Sequence, residues 1–172
     1  MSRRHACDFV VITGGEPMLQ PLRILFETAP RQLKYQIETA GTTWPDGGLI
    51  SGPNGPAWAM EHLSIVCSPK TPMVIGPLRG QSGFDVYWKY VVRANDPVDP
   101  NDGLPDHSTQ IENKLSKLFR PSPLDKDRIF IAPCDEGADL TRSKRNMYYA
   151  RDLALRHGYR LSLQQHKILG LE

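Results

Sequence analysis

The chain has 172 residues, 40% of them hydrophobic and 23% charged, a composition ordinary for a globular domain large enough to bury a proper core. A net charge of +2 gives no argument for a nucleic-acid or anionic-membrane surface, and no apolar run approaches the roughly 20 residues of a membrane span. The start, Met1-Ser2-Arg3-Arg4-His5, is positive but lacks a signal-peptide apolar core, so a cytoplasmic location and one domain over 1–172 are expected.

Phe9-Val10-Val11-Ile12 is apolar, mostly β-branched and too short for a helix, which predicts a buried strand. Thr13-Gly14-Gly15-Glu16-Pro17 ends it, and Met18, Leu19, Leu22, Leu25 and Phe26 then recur at amphipathic-helix spacing. Pro17 suits a first helical turn. Tyr35-Gln36-Ile37-Glu38 predicts a second strand, closed by Thr39-Ala40-Gly41. Residues 44–60, rich in Gly, Pro, Asn and Asp, read as a long loop. Leu63-Ser64-Ile65-Val66-Cys67 and residues 85–92 predict strands three and four. Residues 107–119 carry a helical pattern, and Arg128-Ile129-Phe130-Ile131-Ala132 a fifth strand. Thr141 is a candidate cap for a helix running to about His157 and ended by Gly158, with a short strand at 159–163. Strands alternating with helices or long crossovers predict a mostly parallel α/β sheet, irregular and thinly wrapped.

In parallel α/β sheets, ligands sit at the carboxyl ends of the strands. Four strands deliver polar groups there: Thr13, Gly14, Gly15 and Glu16; Glu38 and Thr39; Ser68 and Lys70; Gln165 and His166. Adjacent glycines let the backbone approach a ligand closely, and Glu16 offers a carboxylate to an amine or a ribose hydroxyl. Such a set suits a polar, zwitterionic or nucleoside-like ligand. Plainer readings stand beside it. The glycine pair also reads as a tight turn, Glu38 as a surface ion pair, Lys70 as a solvated charge and His166 as a surface histidine. Asp135, Glu136 and Asp139 favour an exposed acidic turn over a divalent-metal site. Trp44, Trp58 and Trp88 read as packing residues. Cys7, Cys67 and Cys134 form neither a disulfide framework nor a metal knuckle, and no serine elbow or nucleophile triad is visible.

Ile12-Thr13-Gly14-Gly15-Glu16-Pro17 resembles the GGEP element of radical S-adenosylmethionine enzymes. With Gln36-Ile37-Glu38-Thr39-Ala40-Gly41-Thr42, Cys67-Ser68-Pro69-Lys70 and Arg160-Leu161-Ser162-Leu163-Gln164-Gln165-His166-Lys167 in the same order, the chain is similar to the 7-carboxy-7-deazaguanine synthase family from about residue 10 to 167. The resemblance implies an incomplete, irregular partial (β/α) barrel of the radical-SAM type. It implies S-adenosylmethionine held by Gly14 and Gly15 through backbone oxygens and by Glu38, Ser68 and Lys70 at ribose and carboxylate, with Glu16 beside them. Thr13, Gly15 and His166 would face the substrate, 6-carboxy-5,6,7,8-tetrahydropterin. The family reaction is a radical ring contraction with loss of ammonia, a carbon–nitrogen lyase step of queuosine biosynthesis, using a [4Fe–4S] cluster and Mg²⁺ in a protein expected to be a homodimer.

The sequence departs from that pattern at the cluster. The family's CxxxCxxC loop lies upstream of the GGEP strand, and here only Cys7 precedes it; the threonine that helps hold Mg²⁺ is missing too. The expectation is therefore a chain that resembles the carboxyl-terminal two-thirds of the enzyme without its first β/α unit, with no catalytic or metal residues of its own. Three explanations follow: an inactive fragment, a barrel completed by a separate amino-terminal polypeptide, or a remnant that binds S-adenosylmethionine without chemistry. The first strand would then have an unpaired apolar edge prone to self-association.

Overall fold

The computed structural model describes residues 8–30, 32–46, 49, 61–79, 83–110, 117–122 and 124–164. Its strands are β1 (Phe9–Ile12), β2 (Lys34–Thr39), β3 (Leu63–Cys67), β4 (Asp85–Val92), β5 (Ile129–Pro133) and β6 (Arg160–Leu161), with helices α1 (Leu22–Thr28) and α2 (Leu140–His157). The sheet follows chain order, β1-β2-β3-β4-β5-β6, and is open. Pairing is parallel in β1/β2, β2/β3, β4/β5 and β5/β6. This is the expected parallel α/β sheet, compatible with a partial barrel of the radical-SAM type.

The chain divides into two compact units, residues 1–67 with 74–87, and 68–73 with 88–172. In the first unit, register pairs Val11 with Gln36 and Ile37 with Ile65, so β2 is the central strand of β1–β3. Tyr35, Ile37 and Thr39 are buried on one face of β2, while Gln36 and Glu38 are half-buried on the other. Phe26 of α1 meets Tyr35 edge-on, ring centroids 5.7 Å apart, which anchors that helix to the sheet. Among β1–β3, β1 is the least covered and is not the buried strand its sequence predicts: Phe9 and Val11 are exposed, Val10 and Ile12 half-buried, because it pairs only with β2 among the described residues.

In the second unit α2 presents Asn146, Ala150, Leu153 and Ala154 to the interior, and Ile129 and Ile131 of β5 are fully buried. Trp88 packs on Phe119 at 4.9 Å, the packing role its sequence suggested; Trp44 stacks obliquely on Phe84 in the first unit.

Two further expectations shift. The helix pattern from Met18 to Phe26 splits into a 3-10 turn (Pro17–Leu19) and α1, because Pro21 has no N–H to continue the ladder and Gln20 N closes the turn on Pro17 O. The α2 cap is Asp139, whose carboxylate accepts from Arg142 N at 2.9 Å, two residues ahead of Thr141. Gly158 ends the helix in the left-handed conformation, as expected. Of the 107–119 segment, 111–116 lie outside the described residues, as do Trp58, Cys7, Gln165 and His166.

If this packing sets stability, Ile65→Ala, at a fully buried strand position, will cost about 2–5 kcal/mol in urea unfolding. Ile24→Ala, on a residue 63% exposed, will stay within about 0.5 kcal/mol.

Candidate functional site

At the carboxyl end of β1 the backbone turns sharply: Gly14 has φ 90° and Gly15 φ 56°, both in the left-handed region. No heavy atom lies within 4 Å of where a Cβ would stand on either, so the space on that side of both residues is open. Glycine is needed here for conformation rather than for room. Thr13 is exposed beside them.

Glu16 holds this turn. Its Oε1 accepts from Thr39 Oγ1 at 2.6 Å and from Met18 N at 3.1 Å, and Oε2 accepts from Ala40 N at 2.9 Å. The carboxylate thus caps the 3-10 turn after β1 and ties it to the end of β2. Thr39, itself buried, accepts in turn from Gly41 N at 3.0 Å. The sequence reading offered Glu16 to a ligand; the structure gives its oxygens three internal donors. A charge-assisted hydrogen bond is worth roughly 1.5–3 kcal/mol, so this clamp accounts for much of the local order.

Glu38, at the end of β2, is half-buried and accepts from Gln36 Nε2 at 3.4 Å on the same strand face. Gly41 is tightly enclosed: φ is 76°, and a Cβ there would stand 2.5 Å from Cys67 Sγ. In the second unit Ser68 directly follows β3, and Lys70 Nζ donates to Ser68 Oγ at 3.2 Å. The structure therefore joins Glu16 to the β2 end, and Ser68 to Lys70.

Sequence reasoning passed over a second polar cluster in that unit. Arg93, the residue after β4, donates from Nε to Glu136 Oε1 at 2.6 Å. Asn146, 3% exposed, donates to the same oxygen at 3.1 Å and to Cys134 O at 3.0 Å, and accepts from Ala94 N at 2.8 Å. The bond to Arg93, then that to Asn146, lowers the Glu136 pKa, and the same ion pair raises that of Arg93. The signal was available: Arg93 and Glu136 each stand just past a strand end. Asp135 and Asp139 serve Gly137 N and Arg142 N, and this acidic segment is a turn and cap rather than a metal cradle. Next to it a 240 Å³ cavity is walled by Pro133, Leu140, Met147 and Leu163, with Ser143 and Gln164 at its polar side.

Cys67 and Cys134 are buried cysteines of different units. Among the described residues no three His, Cys, Asp or Glu side chains are grouped to hold a metal ion, and no helix is long and apolar enough to cross a membrane. The described residues thus do not fit a [4Fe–4S] cluster or Mg²⁺.

An open parallel sheet with a left-handed glycine turn at a strand end is an α/β architecture compatible with a partial barrel. No protein-family profile matches the chain. It is 42% identical to the 7-carboxy-7-deazaguanine synthase of Rhodospirillum rubrum, over 97% of this chain and 66% of that protein. The synthases so named in Rickettsia prowazekii (31% identical, 96% of this chain, 60% of theirs) and Escherichia coli (28%, 97% and 62%) are similar to it as well. The chain belongs to the 7-carboxy-7-deazaguanine synthase family, and spans about two thirds of the length of the curated relatives it matches.

Two outcomes follow from this geometry. Gly41→Ala will lower the melting temperature more than Gly15→Ala, because only the former adds a clash with Cys67 to the left-handed strain, itself about 1–2 kcal/mol. Glu136 has a depressed folded pKa, so its stabilising contribution is complete above the unfolded value, about 4.3, and is lost as pH falls through the folded one. In an acid-unfolding series Glu136→Gln will remove that part of the pH dependence, and an unchanged acid limb would contradict the ion pair.

Proposed function

We propose that the chain acts in the synthase reaction of its family, the ring contraction of 6-carboxy-5,6,7,8-tetrahydropterin to 7-carboxy-7-deazaguanine with loss of ammonia, in the cytoplasm. Its part is to bind S-adenosylmethionine and substrate. The observation that carries this reading is the Gly14–Gly15 turn, left-handed at both residues and open on its outer side, in a chain of this family.

When bound, S-adenosylmethionine supplies the family's radical initiator. The chain's own residues divide the binding. The carbonyl oxygens of Gly14 and Gly15 accept from the methionine ammonium, an interaction that requires the left-handed backbone. Glu38 takes the ribose hydroxyls. Lys70 neutralises the methionine carboxylate, and Ser68, already within hydrogen-bond reach of it, orients the ammonium of Lys70. Glu16 does not touch the ligand in this account; it keeps the glycine turn in place. Thr13 and Gly15 border the substrate, with His166 contacting its heterocycle.

The cluster ligands and the Mg²⁺ ligand come from residues other than these 172, supplied by a separate polypeptide or by a longer form of the protein. The three thiols at positions 7, 67 and 134 and the uncovered β1 support this. The assembled enzyme is a homodimer. A second reading, favoured by the same thiol spacing, keeps S-adenosylmethionine binding and drops the chemistry.

The test is anaerobic reconstitution with iron and sulfide, assayed for bound iron, 5′-deoxyadenosine and the deazaguanine product. The chain alone will bind no stoichiometric iron and form neither compound. Adding the amino-terminal third of the Rhodospirillum rubrum relative will restore both. Turnover by the chain alone would overturn its incompleteness; a complemented, iron-loaded complex that still makes no 5′-deoxyadenosine would favour the binding-only reading.

A further inference from the structure

A cavity of about 510 Å³ lies in the second unit, past the end of β4 and against the first turns of α2, within the size range of small-ligand sites. Arg93, Asp96, Glu136, Arg142, Arg145 and Asn146 line it. Such a lining excludes an apolar occupant.

Counting donors and acceptors decides what it suits. Glu136 Oε1 already accepts from Arg93 Nε and Asn146 Nδ2. Asp96 stands 3.8 Å from Arg93 Nη1, an ion pair beyond hydrogen-bond range. Arg145 spends Nη2 on Asn95 Oδ1 at 2.7 Å, leaving Nε and Nη1 with no hydrogen bond. Arg142 spends Nε on Asp139 at 3.2 Å. Three guanidiniums and two carboxylates line the cavity, Asp139 outside the lining pairs with Arg142, and Arg93 Nη2 donates to Cys134 Sγ at 3.5 Å. Guanidinium N–H groups are in excess.

The frame is also set in advance. Glu136 fixes the plane of Arg93, and the buried Asn146 ties the strand-end backbone at Ala94 and Cys134 to α2. Asn95 has φ 76°, the one non-glycine residue among those described in the left-handed region, and that conformation brings its side chain to Arg145. A brace between β4, β5 and α2 accounts for Arg93, Glu136 and Asn146. It does not account for the Arg145–Asn95 pair, the strained backbone or the open volume.

We propose that this cavity binds the oxyanion of a small polar ligand, a phosphate or a carboxylate, through the open edge of Arg145, with Arg93 and Arg142 adding charge. None of the residues assigned to S-adenosylmethionine takes part, so the site stands or falls separately from the proposed reaction.

Inorganic phosphate and acetate, each titrated into the 172-residue chain at constant ionic strength held with chloride, provide the test, read as amide NMR shifts at residues 93–96 and 142–146. Saturable shifts with phosphate support a phosphoryl ligand, and with acetate a carboxylate ligand. Arg145 is exposed, so Arg145→Ala leaves the fold intact; it will weaken binding about tenfold or more, and Arg145→Lys will recover only part of that. Absence of saturable shifts with both anions, or equal affinity in Arg145→Ala, would overturn the proposal.

Discussion

The Glu16 carboxylate is the constraint on which the candidate site depends. Two oxygens accept from a hydroxyl and two backbone amides, one of them following Glu16 by two residues and the others 23 and 24 residues away. These bonds lock the chain leaving β1 to the chain leaving β2, strands that pair in parallel and so end side by side. Between β1 and that junction, Gly14 and Gly15 connect the chain through left-handed backbone. The turn is open because its flanks are tied, not because it is loose.

Much of this architecture was legible in the residues. β3 and β4 fall on the expected boundaries, since each is a run of β-branched and aromatic residues bounded by breakers. The glycine pair was equally clear as a turn. What the sequence concealed were the long-range partners. Nothing local to Glu16 indicates that Thr39 and Ala40 will occupy it, so it read as a ligand group. Thr141 and Asp139 are both good caps, and only the position of Arg142 N relative to the helix start separates them. The Met18-to-Phe26 pattern hid a break because periodicity ignores the missing N–H of Pro21.

The two compact units carry different chemistry. The first unit offers a left-handed glycine turn, open where a Cβ would stand and tied by the Glu16 carboxylate. The second is rich in guanidinium, with Arg93 held by Glu136 at a strand end. Asn146 is the counterpart of Glu16 there: a polar group inside the packed part of the unit, fully used in joining strand ends to a helix. Each unit thus has one buried or half-buried polar side chain that fixes its strand-end loops. Family membership covers both units, and Cys67 and Cys134 are buried in different ones.

The central claim is that the Glu16-held glycine turn receives S-adenosylmethionine. The most direct measurement is an NMR titration of the chain with that compound, following the amides of Gly14, Gly15 and Glu16, alongside Glu16→Gln. The account predicts saturable shifts at these amides in the natural sequence and their loss in the variant, whose amide nitrogen meets a donor where the carboxylate accepted one. Unmoved Gly14 and Gly15 amides at saturating ligand, or undiminished binding in Glu16→Gln, would contradict it.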